Sequence, residues 1–280
     1  MVELVDSELN GASAYYSFRK TPTQVTVSGQ WFDLSMSPGN PVPQYYIGTI
    51  LTSTPFSYTA DGGIPHGGAV APKEKFIRQT TLLANSATGS PMTIYGLDYL
   101  IFYPFIDEST TDPQTLVNSV ALPRYTDGKG VLAMAISVAG RTGGQSFFYT
   151  YTNQDGVSGR VSPNIVENNA TANGIIVSSA TVTNGAFGPF LPMQSGDTGI
   201  RSIESVTMNG ADVGLFTIVL VKPLFQTQIR GVDAPVERDY FLQGAAMPQI
   251  QDNAYVNLIC LPTGSLSGVS IFGDLKTVWN

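Results

Sequence analysis

Between residues 131 and 161 the side chains dictate their own geometry. Leu132, Met134, Ile136 and Val138 alternate with Ala133, Ala135 and Ser137, a period of two that puts bulky groups on one face of a strand and small ones on the other. Gly140, Gly143 and Gly144 interrupt the pattern. A second strand is predicted where Phe147, Tyr149 and Tyr151 alternate with Thr150 and Thr152, and Asp155-Gly156 turns the chain into a third alternation of Val157, Gly159 and Val161 against Ser158, Arg160 and Ser162. A two-residue loop would set Tyr151 opposite Arg160 and mix apolar with polar on both faces. A three-residue loop over 154–156 pairs Asn153 with Val157 and Tyr151 with Gly159, leaving Thr150 with Arg160 on the wet face. A one-residue slip inverts every side chain, so the three-residue register is expected, with Gly156 as the left-handed residue of a bulged hairpin. The expected unit is a β-meander with one packed and one soluble face.

The rest of the chain reads the same way. Residues 97–106 are almost continuously apolar and fit a strand buried on both faces, ending at an edge marked by Pro104. Residues 213–221 form a second core run. Strand signals also fall at 14–18, 24–32, 45–47, 76–83, 174–182, 200–208, 255–261 and 266–279, punctuated by Gly and Pro. Residues 112–119 are one of the few plausible helices, with Asp112 as N-cap and Pro113 at the first position. Residues 233–240 suit a short helix or a loop. About a dozen short strands with so little helix predict an all-β fold, a β-sandwich or jelly roll. Its organisation divides into an irregular, strand-containing N-terminal region over 1–68, placed to contact neighbours, and a main sandwich domain over 69–280. The absence of a long amphipathic helix excludes doubly wound α/β enzymes.

Composition narrows the function. Charged residues make up 12% of the 280, about half the share typical of soluble domains, so neutral polar groups must cover much of the surface. A net charge of −7 argues against a nucleic-acid partner, which needs clustered Lys and Arg. One cysteine, Cys260, excludes an intramolecular disulfide framework or a zinc cluster, and its apolar neighbours predict burial. The first residues lack the basic and apolar regions of a secretory signal, and no run approaches the ~20 apolar residues of a membrane span. Neither Sec export nor membrane insertion is expected.

No residue pattern specifies a reaction. His66, the single histidine, lies in a Gly/Pro-rich stretch over 61–68 and reads as a solvated loop residue. Asp197-Thr198-Gly199 matches the aspartic-protease triplet, but that chemistry needs two carboxylates sharing a proton, and a polar turn is expected. Ser17 and Lys20 match Ser-x-x-Lys without its companion motifs. The glycines of 140–144 suggest a phosphate loop, yet the lysine and the following helix are missing; an anion nest or a plain connection remains. Asp107, Glu108 and Asp112 offer oxygen ligands for calcium without EF-hand spacing, the alternative being a solvated loop with a helix cap. Tyr15-Tyr16 and Tyr45-Tyr46 read as core or subunit contacts, or as a glycan platform. The reading is therefore non-enzymatic: no catalytic, cofactor-binding or metal residues are assigned, and no cofactor is expected.

Four segments carry a resemblance: 138–162 (VAGRTGGQSFFYTYTNQDGVSGRVS), 101–108 (IFYPFIDE), 122–128 (LPRYTDG) and 220–224 (LVKPL). Together they resemble virion structural proteins of tailed bacteriophages, over roughly residues 75–280. The resemblance implies a particle component assembled in the host cytoplasm, of capsid decoration or cement type, since the long spine helix of a major shell protein is absent. Its partners would be the major capsid protein or neighbouring head or tail subunits, and copies of itself. The alternative is a tail-associated receptor- or glycan-binding protein; a β-sandwich hydrolase would need two carboxylates converging in a cleft.

Overall fold

The two apolar runs become the two longest strands, paired with each other along nearly their whole length. The computed structural model describes residues 2–185, 188–244 and 246–280. Among these, nine strands have seven residues or more: β1 (Ser13–Lys20), β2 (Lys75–Ala84), β3 (Met92–Asp107), β4 (Leu132–Ala139), β5 (Ser146–Asn153), β6 (Ile200–Met208), β7 (Leu215–Ile229), β8 (Tyr255–Leu261) and β9 (Ile271–Trp279). They lie in three antiparallel sheets. The central sheet runs from Phe32–Asp33 through β8, β3 and β7 to β4. A terminal sheet holds β2, β9 and β1, and a lateral sheet pairs β5 with β6. The chain is 43% strand and 8% helix, an all-β sandwich fold.

Both companion sheets pack on one face of the central sheet, at opposite ends of its long strands. Met92, Ile94, Phe225, Ile229, Leu258 and Cys260 meet Phe18, Ile77, Leu82 and Leu275 of the terminal sheet. Ile101, Tyr103, Ile218, Leu220, Ala133 and Ala135 meet Tyr149, Tyr151, Ile203 and Val206 of the lateral sheet. The opposite face carries Tyr99, Phe102, Met134, Val219 and Ile259, covered by Trp31, Met36, Tyr46 and Phe56 from the first quarter of the chain. The alternation survives along β3 only because the ladder slips where Leu220 pairs with Ile101 and Val221 with Tyr99. The extra residue, Leu100, restores the parity, as a bulge does. Strands from the first 68 residues join sheets otherwise built from later ones: β1 lies between β9 and Gly39–Asn40, and Thr54–Pro55 pairs with β3.

Several expectations need correction. Residues 131–161 are not a meander, because β4 belongs to the central sheet and β5 to the lateral one. Residues 133–137 of β4 are buried on both faces, so Ala133 and Ala135 are small because a second sheet packs on them, not because that face is wet. Pro104 marks no edge; it lies inside β3 at a slip of the ladder between Tyr103 and Ile106, beside Phe105 at φ 61°. The helix over 112–119 is absent: Gln114–Thr115 pairs with β6, and the peptide groups of Leu116 and Val117 bond to Glu204 and Leu51. A helix forms instead at Val2–Leu9, and residues 174–182 make only isolated bridges through Ile175, Ile176 and Thr181.

The hairpin tip is as expected and its strands are not. The Gly156 N–H donates to the Asn153 carbonyl and the Asn153 N–H to the Val157 carbonyl, both at 3.0 Å. Gly156 has φ 78°. This is the three-residue loop with its left-handed glycine. Gly159, at φ 68°, then adds a second irregularity, and beyond it Tyr151 faces Arg160. Tyr149 and Tyr151 stay buried despite the shifted register.

Candidate functional site

Four chain segments converge at the end of the molecule where β3, β4 and β7 begin or end. Glu108 follows β3 directly. Its N–H donates to the Gly214 carbonyl, and its own carbonyl accepts from the Asp212 N–H at 2.8 Å, which holds the loop between β6 and β7 against it. Arg141, just past β4, exchanges two backbone bonds with Ala170, while the Gly144 N–H donates to the Glu167 carbonyl and the Glu167 N–H to that of Gln145. Gly214 is required here. At φ 137°, a Cβ would lie 2.9 Å from Glu108 Oε2 and from Arg141 Cβ.

These bonds gather three carboxylates and one guanidinium. Ligand oxygens of Glu108, Glu167 and Asp212 lie within 4.8 Å of one another, and all three residues are buried. Arg141 donates from one terminal nitrogen to Glu108 Oε1 at 3.2 Å, from Nε to the Asn168 carbonyl at 2.8 Å and from the other terminal nitrogen to Asn168 Oδ1 at 3.0 Å. Asp212 is well served: it accepts from the Thr142 hydroxyl, the Gly143 N–H at 2.8 Å and the Val213 N–H at 2.7 Å. The anion nest suspected in the 140–144 loop is therefore occupied by the protein's own carboxylate. In contrast, Glu108 Oε2 and both side-chain oxygens of Glu167 have no hydrogen-bond partner among the described residues.

The electrostatics follow from this imbalance. Burial pushes the Glu108 carboxyl up to about 7 against the pull of Arg141, with Asp212 and Asp107 adding to the rise. Burial and then the charge of Glu108 push Glu167 up to about 8. Burial works against the charge of Asp212 too, but its hydroxyl and amide donors outweigh it and hold that carboxyl below the usual range.

Other residues singled out in the sequence lie elsewhere. Asp107 turns away to cap Ser109 and Thr110, and Asp112 is exposed, so of the suspected calcium trio only Glu108 enters the cluster. Glu167 and Asp212 were missed, since neither lies near Glu108 in the chain. His66 is not solvated: it is fully buried, with Nε2 2.9 Å from the Ala254 carbonyl and Nδ1 3.4 Å from Lys75 Nζ. Ser17 and Lys20 project from opposite faces of β1, Ser17 outward to Asp274 at 2.5 Å and Lys20 inward. Asp197 is a structural hub that accepts from Tyr151, Asn153 and Arg160, whose guanidinium leads in holding it down to about 2. Tyr15 and Tyr45 are exposed while Tyr46 is buried, and Cys260 is a buried free thiol, as expected.

Two further buried networks are saturated. The Arg124 guanidinium grips Asp98 at 2.9 and 2.7 Å and also donates to the carbonyls of Phe56 and Tyr99. Asp33 accepts from Ser35, Tyr46 and Tyr99. No family model, curated protein or solved structure matches this chain. No helix among the described residues is long and apolar enough to cross a membrane.

Proposed function

We propose that the chain is a structural subunit of a bacteriophage particle, a capsid decoration or cement protein acting through protein–protein contact and not through catalysis. Beside the sequence resemblance, one structural observation supports this reading. The segment 42–50 holds four large apolar side chains in solvent: Val42 (67% exposed), Tyr45 (52%), Ile47 (76%) and Ile50 (65%). Exposed apolar groups scattered singly are ordinary, whereas a concentration of them marks an interaction surface.

The backbone beneath that segment is anchored. Lys20 Nζ donates to the carbonyls of Ser35, Ser37 and Pro41, the Gln44 N–H to that of Ser35, and the Leu51 N–H to that of Pro104. Apolar groups held out on a fixed base bind with little ordering cost. The partners are neighbouring virion subunits, including copies of this chain.

The test is the position of the protein in purified particles by cryo-electron microscopy, together with the double variant Ile47→Asp/Ile50→Asp. The subunit should be on the head, and the variant should keep the wild-type melting temperature while losing particle association at least tenfold. A protein absent from the head, or a variant that loads normally, would sink the reading.

A further inference from the structure

Buried carboxylates are normally paired with donors or with a metal. Glu167 breaks this pattern more completely than any other described side chain: it is 2% exposed, and neither of its oxygens has a partner. The free Oε2 of Glu108 is also buried within the same cluster. Once Glu108 and Glu167 release their protons, as metal binding requires, three carboxylates against the guanidinium of Arg141 carry a net negative charge of two, matched by one divalent cation.

We propose that Glu108, Glu167 and Asp212 form a binding site for one divalent cation, and that the ion is calcium. The donors are all oxygens, which hard cations prefer and zinc, copper and iron do not require. Calcium bonds oxygen at about 2.3–2.6 Å, so ligands on opposite sides of the ion stand about 5 Å apart. The carboxylate oxygens, within 4.8 Å of one another, fit that sphere. A surface groove lined by Gly140, Arg141, Thr142, Ala170, Thr171 and Val213 lies beside the cluster. The bound ion would tie together the end of β3, the loop after Ile165–Val166 and the loop between β6 and β7, pinning the lateral sheet to the central one.

The full chain, stripped with a chelator, is titrated with calcium chloride and separately with magnesium chloride, and followed by calorimetric binding and thermal melting. One calcium per chain is expected, with a rise in Tm of about 5 °C at a hundredfold excess over Kd and a smaller rise with magnesium. Glu167→Gln, close in shape to the native side chain, should weaken calcium binding at least tenfold, while Asp112→Asn at the exposed position should leave it unchanged. Glu108→Gln gives the same reading should the first variant not fold. A wild-type protein with neither binding heat nor a Tm response to calcium would overturn the proposal. So would calcium binding retained in Glu167→Gln, which would place the ion on surface carboxylates. An equal response to magnesium would overturn the assignment to calcium.

Discussion

Beside the terminal sheet the molecule buries two lysines, Lys20 and Lys75, and beside the lateral sheet three carboxylates, and the chain serves the two groups very differently. Lys20 is fully buried, yet Nζ reaches three carbonyls, at 3.3, 3.0 and 2.8 Å. Lys75 meets the Gly68 carbonyl at 2.7 Å and Asp252 at 3.3 Å. Glu167, buried beside the lateral sheet, meets no donor among the described residues. The asymmetry has a backbone origin. A carbonyl oxygen has two lone pairs and can accept again after joining a ladder, whereas an amide N–H is spent once bonded. Irregular segments such as 35–41 can therefore solvate an ammonium from their own backbone. A buried carboxylate needs hydroxyls or unspent N–H groups: Asp212 finds the Thr142 hydroxyl and the N–H groups of Gly143 and Val213, but the Gly144 N–H goes to the backbone of Glu167 instead of its side chain.

The largest effect should come from breaking the saturated side. Lys20→Met leaves three buried carbonyls without their shared donor and should cost about 3–5 kcal/mol in urea unfolding; a loss below about 1 kcal/mol would mean that water replaces the ammonium freely. His66, beside Lys75, extends the comparison to pH. Burial, assisted by the charge of Lys75 and opposed by the Ala254 carbonyl, lowers its pKa to about 4 from 6.5. Between those values the unfolded chain holds a proton that the folded chain refuses. Stability should therefore fall as pH is lowered from 6.5 to 4, by about 3 kcal/mol in total. Unfolding of wild type and His66→Gln across that window checks this, and parallel curves would rule it out.

The unsaturated side should respond with the opposite sign. In chelator, Glu167→Met removes a buried carboxyl that has no donor, without cutting a bond, and should stabilise by about 1–3 kcal/mol. With calcium present the order should reverse, the wild type becoming the more stable. The smallest effect sets the scale for a change that touches neither charge. Gly156→Ala places a Cβ at φ 78°, with ordinary 3.4 Å contact to Arg201, and should cost about 1 kcal/mol from backbone strain alone.

Local physics made much of the fold legible. The apolar runs gave β3 and β7, and the demand for one consistent face gave the three-residue loop around Gly156. What lay hidden depends on partners distant in sequence. Ala133 and Ala135 fit a wet face as well as one under a second sheet, until the lateral sheet is in place. His66 sits among glycines and a proline that look solvated in one dimension, and only the contacts with Ala254 and Lys75 bury it. Of the carboxylate cluster, Glu108 was visible as an acidic residue beside Asp107. Its true companions are set by backbone bonds at Gly214, Ala170 and Gln145, which no spacing rule connects.

The adjacency of β1 and β9 has a mechanical consequence. Ser13 pairs with Val278, Lys20 pairs with Ile271, and the Trp279 N–H bonds to the Ala12 carbonyl. Tension applied through Ala12 and Trp279 would thus enter at one end of a single antiparallel pair, across its rungs. Such a load opens the ladder rung by rung, like a zipper, instead of shearing all its hydrogen bonds together. A pull through these two points would peel β1 from β9 before it reached the long pairing of β3 and β7, whereas force spread over the broad faces of the sheets would meet the whole structure at once.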